Sequence, residues 1–266
     1  MACQKNMSPA KAGVTALNYL SDRLFEIKLF SPVVASAARP GQFVILQATA
    51  RSSRVSLPLA GISPEEQTIS VVMSRSTAGA GSLAVLEVGG ELNALMGPIG
   101  EPSAIQEGAA SVLLVGDGAE AFGLAPVARA LVAGGSRLSG LLAGDPTDAR
   151  ILAERLGCAG SCKTILGDAP PLEALARQID HVAPALILAA GSTPLLRAVQ
   201  QASKEKGVAA RLRLNPPMLD GIGMCGGCRL KIGGRLAFCC LEGPEFEAAA
   251  VDFDYLERRE RAGRVA

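Results

Sequence analysis

The chain has no tryptophan, one histidine and only 3 % aromatic residues. The single histidine, His181, stands before the apolar run "PALILAAG" and reads as a boundary residue, so histidine-based acid–base catalysis has no local owner. No charge of one sign prevails: 26 basic and 25 acidic residues nearly cancel, which removes the field that would draw nucleic acid or an anionic membrane surface. No apolar run reaches the roughly 18 residues of a membrane span, and "MACQKNMSPAKAGVT" lacks the apolar core of a signal peptide. The expected location is the cytoplasm, whose reducing conditions argue against structural disulfides and turn attention to metal or redox roles for clustered cysteines.

What is present divides into three. Residues 1–105 carry short apolar or alternating runs, "RLFEIKLFSP", "QFVILQATA" and "QTISVVMSRS", separated by the turn signals "ARPGQ" and "GISPEEQ". This predicts a small antiparallel barrel or sandwich. Residues 106–212 alternate strand and helix: "SVLLVG" then "GLAPVARALVAGG", "LSGLLAG" then a helix opened by Asp145-Pro146, and "PALILAAG" then "PLLRAVQQASKEKG". That order predicts a parallel, Rossmann-like sheet covered by helices. Residues 213–266 are cysteine-rich, then acidic, then basic, and read as a small separate module. The fold class is thus α+β, multidomain.

The module packs four of seven cysteines into "MLDGIGMCGGCRLKIGGRLAFCC" (218–240). Asp220, Cys225, Cys228 and one of the final cysteines are spaced to surround one small inorganic centre. Thiolates favour zinc or iron–sulfur clusters. Gly221, Gly223, Gly226 and Gly227 favour a [2Fe-2S] cluster, since a flexible loop can aim amides at bridging sulfides; a zinc site or free buried thiols are the alternatives. Cys239 and Cys240 would point oppositely in extended chain, so one of them is expected to be a bystander. Cys158 and Cys162 have no further ligand nearby and read as packing thiols.

The segment "LNPPMLDGIGMCGGCRLKIGGRLAFCCLEGPEFEAAAVDFDYLERR" resembles the C-terminus of the small subunits of NADH-dependent reduced ferredoxin:NADP oxidoreductases, or sulfide dehydrogenases. The dihydroorotate dehydrogenase electron-transfer subunits are similar but have cysteine at the position of Asp220. The resemblance implies Asp220, Cys225, Cys228 and Cys240 as the ligands, "LEGPEF" selecting Cys240 over Cys239. A loop-capping role is the other reading of Asp220.

More weakly, the likeness spans nearly the whole chain and implies a ferredoxin reductase-like protein with FAD. "RPGQFVILQ" resembles a strand packed at the flavin. "LPLAGI" stands where the family has an arginine, one residue and "PLT"; Ser56 takes the arginine's place and Ala60 the threonine's, while Pro58 and Leu59 are kept. Arg54 is then the candidate cation for the pyrophosphate, or a solvated surface charge. Gly79, Gly81 and Ser82 would open a short helix whose amides hold the same group. For NAD(P), the resemblance implies Gly116 and Gly118 after the first parallel strand, and Gly191 and Pro194 in "AAGSTPLL" beside the nicotinamide. The first turn, "GDGAEAFGLAP", departs from the family's compact three-glycine turn by its length and by Asp117 and Glu120, carboxylates that would repel a pyrophosphate unless turned outward. A scaffold retained without nucleotide is the alternative.

The function implied is electron transfer among NAD(P)H, FAD and a [2Fe-2S] cluster, with substrate chemistry in a larger partner subunit; a relay subunit without nicotinamide binding, or a zinc-stabilised interaction module, are the alternatives. The tail "EFEAAAVDFDYLERRERAGR" reads equally as a partner contact or a solvated helix.

Overall fold

The computed structural model describes residues 12–75, 79–105, 110–165 and 172–263. The expected domain boundary at 106, the first eleven residues of the N-terminal stretch and the last part of "GCAGSCKTILGDAPP" lie outside these.

Six antiparallel strands form the first layer: β1 (Gly13–Tyr19), β2 (Leu24–Phe30), β3 (Phe43–Gln47), β4 (Val55–Ser63), β5 (Thr68–Ser74) and β6 (Ala94–Ile99), in the order β1-β2-β5-β4-β3-β6. Backbone bonds from Val14 to Gly90, Gly89 to Val14 and Leu92 to Ala12 bring β1 back to the segment before β6, so the sheet curls on itself as a barrel. Val44, Leu46, Leu57, Leu59, Val71 and Met73 fill it. Two short helices interrupt the strands, α1 (Pro32–Ala37) and α2 (Ala80–Leu83).

The second layer is a six-stranded sheet of order β14-β11-β10-β7-β8-β9. Its parallel strands are β7 (Ser111–Asp117), β8 (Arg137–Ala143), β9 (Cys162–Ile165), β10 (Leu186–Ala190) and β11 (Ala209–Arg213). Its helices are α3 (Ala125–Ala133), α4 (Pro146–Leu156), α5 (Leu172–Val182) and α6 (Thr193–Lys206). Local chemistry sets their ends. Asp145 accepts from the amides of Thr147 at 2.8 Å and Asp148 at 3.4 Å, with Pro146 in the first turn, and Gly157 closes α4 at φ +71°. His181 lies exposed in the last turn of α5.

The cysteine segment forms a hairpin, β12 (Arg229–Ile232) and β13 (Arg235–Phe238), turned through Gly233 and Gly234 at φ +57° and +81°, followed by a single helical turn, α7 (Cys239–Glu242). It then returns to the large sheet as β14 (Glu245–Glu247), antiparallel to β11. The tail forms α8 (Phe253–Gly263), whose Phe253 and Leu256 are buried and whose Asp254 and Glu257 pair with Arg197 of α6 at 2.8 and 2.7 Å. One apolar core runs without a break through Phe43 and Ile45 of the barrel, Leu113 and Val115 of β7, and Met218, Cys228 and Cys240 of the cysteine segment. Each buried leucine or phenylalanine in it contributes about 1.5–3 kcal/mol. No helix among the described residues is long and apolar enough to cross a membrane.

Candidate functional site

The loop 219–228 is shaped by glycine. Gly221, Gly223 and Gly226 have φ of +69°, +81° and +66°, and a Cβ on Gly221 would come within 2.5 Å of Ile99 Cδ1. Its cysteines differ sharply in setting: Cys225 is exposed, Cys228 and Cys240 are buried with their sulfurs 3.3 Å apart. Amides already point at sulfur, Gly227 N–H at Cys225 Sγ (3.4 Å) and Cys240 N–H at Cys228 Sγ (3.5 Å). This is the donor pattern that suits thiolates carrying the charge of a cluster. Burial, reinforced by the Cys228 thiol, pushes Cys240 up to about 12, so ligation there must expel a proton.

Asp220 is turned onto its own loop, accepting from the amides of Ile222, at 3.1 Å, and Cys225. This is the loop-capping arrangement, and among the described residues no three Cys, His, Asp or Glu side chains converge on a point where a single metal ion would be held. Cys239 and Cys240 begin α7 rather than lying in extended chain, yet they still diverge, about 100° apart around a helical turn. Cys239 is buried with its Sγ donating to Leu214 O at 3.3 Å, while Cys240 faces Cys228.

Two arginines missed from the sequence, or assigned elsewhere, hold this loop. Arg259 on α8 donates to the carbonyls of Gly226 (3.2 Å) and Gly227 (2.7 Å). Arg54, the candidate pyrophosphate cation, donates to Leu219 O at 3.0 Å. Gly79, at φ +86°, precedes α2 and lies so close to Val55, the residue between Arg54 and Ser56, that a Cβ would meet its Cγ2 at 2.6 Å; Gly81 and Ser82 follow within α2. Leu59 points into the barrel core. Pro58 packs against Gly123, where a Cβ would sit 2.6 Å from its own.

At the ends of β7 and β10, the carboxylates turn inward. Asp117 accepts from Ser192 N at 2.6 Å and Ser192 Oγ at 2.5 Å, over a Gly191 whose Cβ would collide with it. Gly116 lies within β7 and Gly118 precedes a 3-10 turn, Ala119–Leu124, that packs on the barrel; burial, helped by Asp117, raises the carboxyl of Glu120 from its ordinary value. Pro194 is exposed in the first turn of α6. Between barrel and sheet remains a cleft lined by Phe43, Pro58, Ala190 and Leu214 with the polar Glu120, Arg213 and Asn215. Its walls are apolar apart from these three side chains.

Cys158 and Cys162 are not the free thiols expected. Gly157 ends α4 and the chain doubles back, leaving their Cα atoms 5.6 Å apart and the two sulfurs bonded.

Residues 215–252 match the family described as the iron-sulfur cluster binding domain of dihydroorotate dehydrogenase B. The chain is 32 % identical, over 93 % of its length and 92 % of the relative's, to the dihydroorotate dehydrogenase B (NAD(+)) electron transfer subunit homolog of Thermotoga maritima. Among solved structures it is similar to one from a study of flavin-based electron bifurcation in the NADH-dependent reduced ferredoxin-NADP oxidoreductase, with a TM-score of 0.83 and 28 % identity covering 96 % of this chain and 95 % of that one. Phthalate dioxygenase reductase, described as a modular structure for electron transfer from pyridine nucleotides to [2Fe-2S], shares the fold at a TM-score of 0.57 and 16 % identity, covering 85 % of this chain and 87 % of that one. All of these likenesses support the ferredoxin reductase-like fold, and the family match and the 28 % identical structure support the expected flavin and iron–sulfur cluster. The chain belongs to the family of dihydroorotate dehydrogenase B electron-transfer subunits.

Proposed function

We propose that the chain is the electron-transfer subunit of a cytoplasmic oxidoreductase, moving electrons between NAD(P)H, FAD and a [2Fe-2S] cluster, and to or from a larger subunit that carries the substrate chemistry. Its parts are a flavin barrel (1–105), a nucleotide sheet (106–212) and a cluster module (213–266). A flavin exchanges electrons in pairs or singly and an iron–sulfur cluster singly, which is the chemistry these groups supply when bound.

The observation that carries the reading is the short wall between cleft and cysteines. Leu214 lines the cleft and accepts the hydrogen bond of Cys239, the neighbour of Cys240. Cys225, Cys228, Cys240 and Asp220 would hold the cluster, Asp220 exchanging its amide donors for iron. Arg259 and Arg54 would keep the loop in place, while Gly79, Gly81, Ser82 and Ser56 would face the flavin's phosphates. Around the exposed Cys225 the side chains of Leu219, Ile222, Met224 and Leu241 are exposed as well, an apolar rim of the kind that marks a protein contact. That rim favours the partner subunit on the cluster side.

The test is anaerobic purification followed by iron, sulfide and flavin analysis and EPR of the reduced protein. Two irons and one flavin per chain are expected; zinc without iron or sulfide overturns the reading. One observation favours a second reading, a relay that takes no electrons from nicotinamide: the Ser192 amide, which Gly191 and Pro194 flank, is occupied by Asp117. Mixing with NADH or NADPH in a stopped-flow spectrometer separates the two, since flavin bleaching with either sinks the relay.

A further inference from the structure

Arg213 is the last residue of β11, in the middle of the large sheet's β10-β11-β14 half, and is only 6 % exposed. Its Nη2 donates to Gly41 O at 2.8 Å and its Nη1 to Ser103 Oγ at 3.4 Å. Gly123 passes so near that a Cβ would lie 3.6 Å from Nη2. On one side Arg213 lines the cleft with Glu120, Phe43 and Pro58. On the other side the carbonyl of Leu214, the next residue, accepts from the thiol of Cys239 at 3.3 Å. Arg213 therefore stands in the wall that separates the cleft from the cysteines.

Its charge is poorly balanced. The carboxylate opposite it in the β11–β14 register is Glu245, whose side chain is 5 % exposed. One oxygen of Glu245 pairs with Arg211 Nε at 3.2 Å, and the other accepts from Ser103 Oγ at 2.5 Å. Two guanidiniums share one carboxylate, and Arg213 reaches it through the serine hydroxyl. Glu120, the other acid on the cleft, is driven toward its neutral form by burial. A buried cation in low dielectric acts strongly on charge that appears nearby, and arginine keeps its proton where lysine would yield it.

We propose that Arg213 is a positioning residue for electron transfer, an undercompensated buried cation that keeps the cleft and the cysteine wall at positive potential and so favours the reduced state of the groups on either side. The proposal rests on the reading that FAD and the cluster occupy those two sides. No proton or covalent step is involved; one electron arriving at either centre supplies the negative charge that Arg213 lacks.

The test is a dithionite titration of the purified holoprotein with redox mediators, the flavin followed by absorbance and the cluster by EPR. Arg213→Gln is expected to move the flavin midpoint to more negative potential, and the cluster midpoint in the same direction. Arg213→Lys should fall between the parent and Arg213→Gln, since a buried lysine yields its proton where arginine does not. Glu245→Gln, which removes the partial counter-charge, should shift the midpoints the opposite way, to more positive potential. A purely structural role gives no such sign reversal. Unchanged midpoints in Arg213→Gln at full cofactor content, or shifts of one sign in both variants, overturn the proposal. Should Arg213→Gln fail to accumulate, Glu245→Gln decides alone: without a positive shift the proposal falls. A parent free of both flavin and iron refutes the functional reading itself, and this proposal with it.

Discussion

The carboxylate of Asp117 is held twice by Ser192, through the backbone amide at 2.6 Å and the hydroxyl at 2.5 Å. An amide at a helix start is the donor a phosphate or carboxamide would seek, and here the chain's own acid has taken it. Asp117→Ala is therefore expected to tighten NADH binding about tenfold, roughly 1.4 kcal/mol, in equilibrium dialysis. Equal affinities in parent and variant would show that the carboxylate does not compete.

Cysteine roles separate by iron content. Cys225→Ser, Cys228→Ser and Cys240→Ser should each lose most of the iron and sulfide found in the parent. Cys239→Ala should keep both, at a stability cost of about 1 kcal/mol for the small void it leaves. Asp220→Cys should retain the cluster with a changed EPR spectrum; an identical spectrum means that Asp220 remains a loop cap.

Glu120 supplies a pH signature. Burial raises its folded-state pKa, so the folded protein binds the proton more tightly than the unfolded chain. Its contribution is intact below the unfolded value, about 4.3, and is lost as pH rises through the folded one. Glu120→Gln, which cannot ionise, should melt higher than the parent at pH 8 and alike at pH 4. Melting curves that differ by the same amount at both values would contradict this.

Much of this framework could be read directly from residue order. β2, β3 and β5 follow from their apolar runs, α4 from Asp145-Pro146 and Gly157, and the cysteine loop from spacing and glycine. What escaped depends on contacts between distant segments. Nothing local to Arg213 signals its partners, Gly41 from 172 residues away and Ser103 from 110. Arg54 likewise finds Leu219 across 165 residues, a carbonyl that nothing near it in sequence announces. The 3-10 turn at 119–124 was missed because its packing on Pro58 of the barrel, rather than any local propensity, fixes its course.

Arg259 gives a way to loosen the cluster loop without touching a cysteine. Arg259→Ala removes the bonds to Gly226 and Gly227 carbonyls, and charged hydrogen bonds contribute about 1.5–3 kcal/mol each at most. A lower melting temperature and several-fold faster loss of iron to a chelator are expected. An unchanged chelation rate would assign α8 to packing alone.

Met224 is 82 % exposed and should be dispensable for folding, within about 0.5 kcal/mol. Met224→Glu should nonetheless weaken co-elution with the larger subunit on gel filtration. Full retention of the complex would move the contact elsewhere.

Arg213 and Glu245 face each other across β11 and β14, and the chain leaves the sheet at the first and re-enters at the second. Neighbouring strands lie about 4.8 Å apart, so everything from Leu214 to Pro244 is, topologically, one long hairpin loop at a sheet edge. Its two ends are set by a single strand pair, but its body is not self-supporting: Met218, Cys228, Leu230 and Cys240 share their core with Phe43 of the barrel and Leu113 of β7, so the cysteine loop takes its shape from both layers at once.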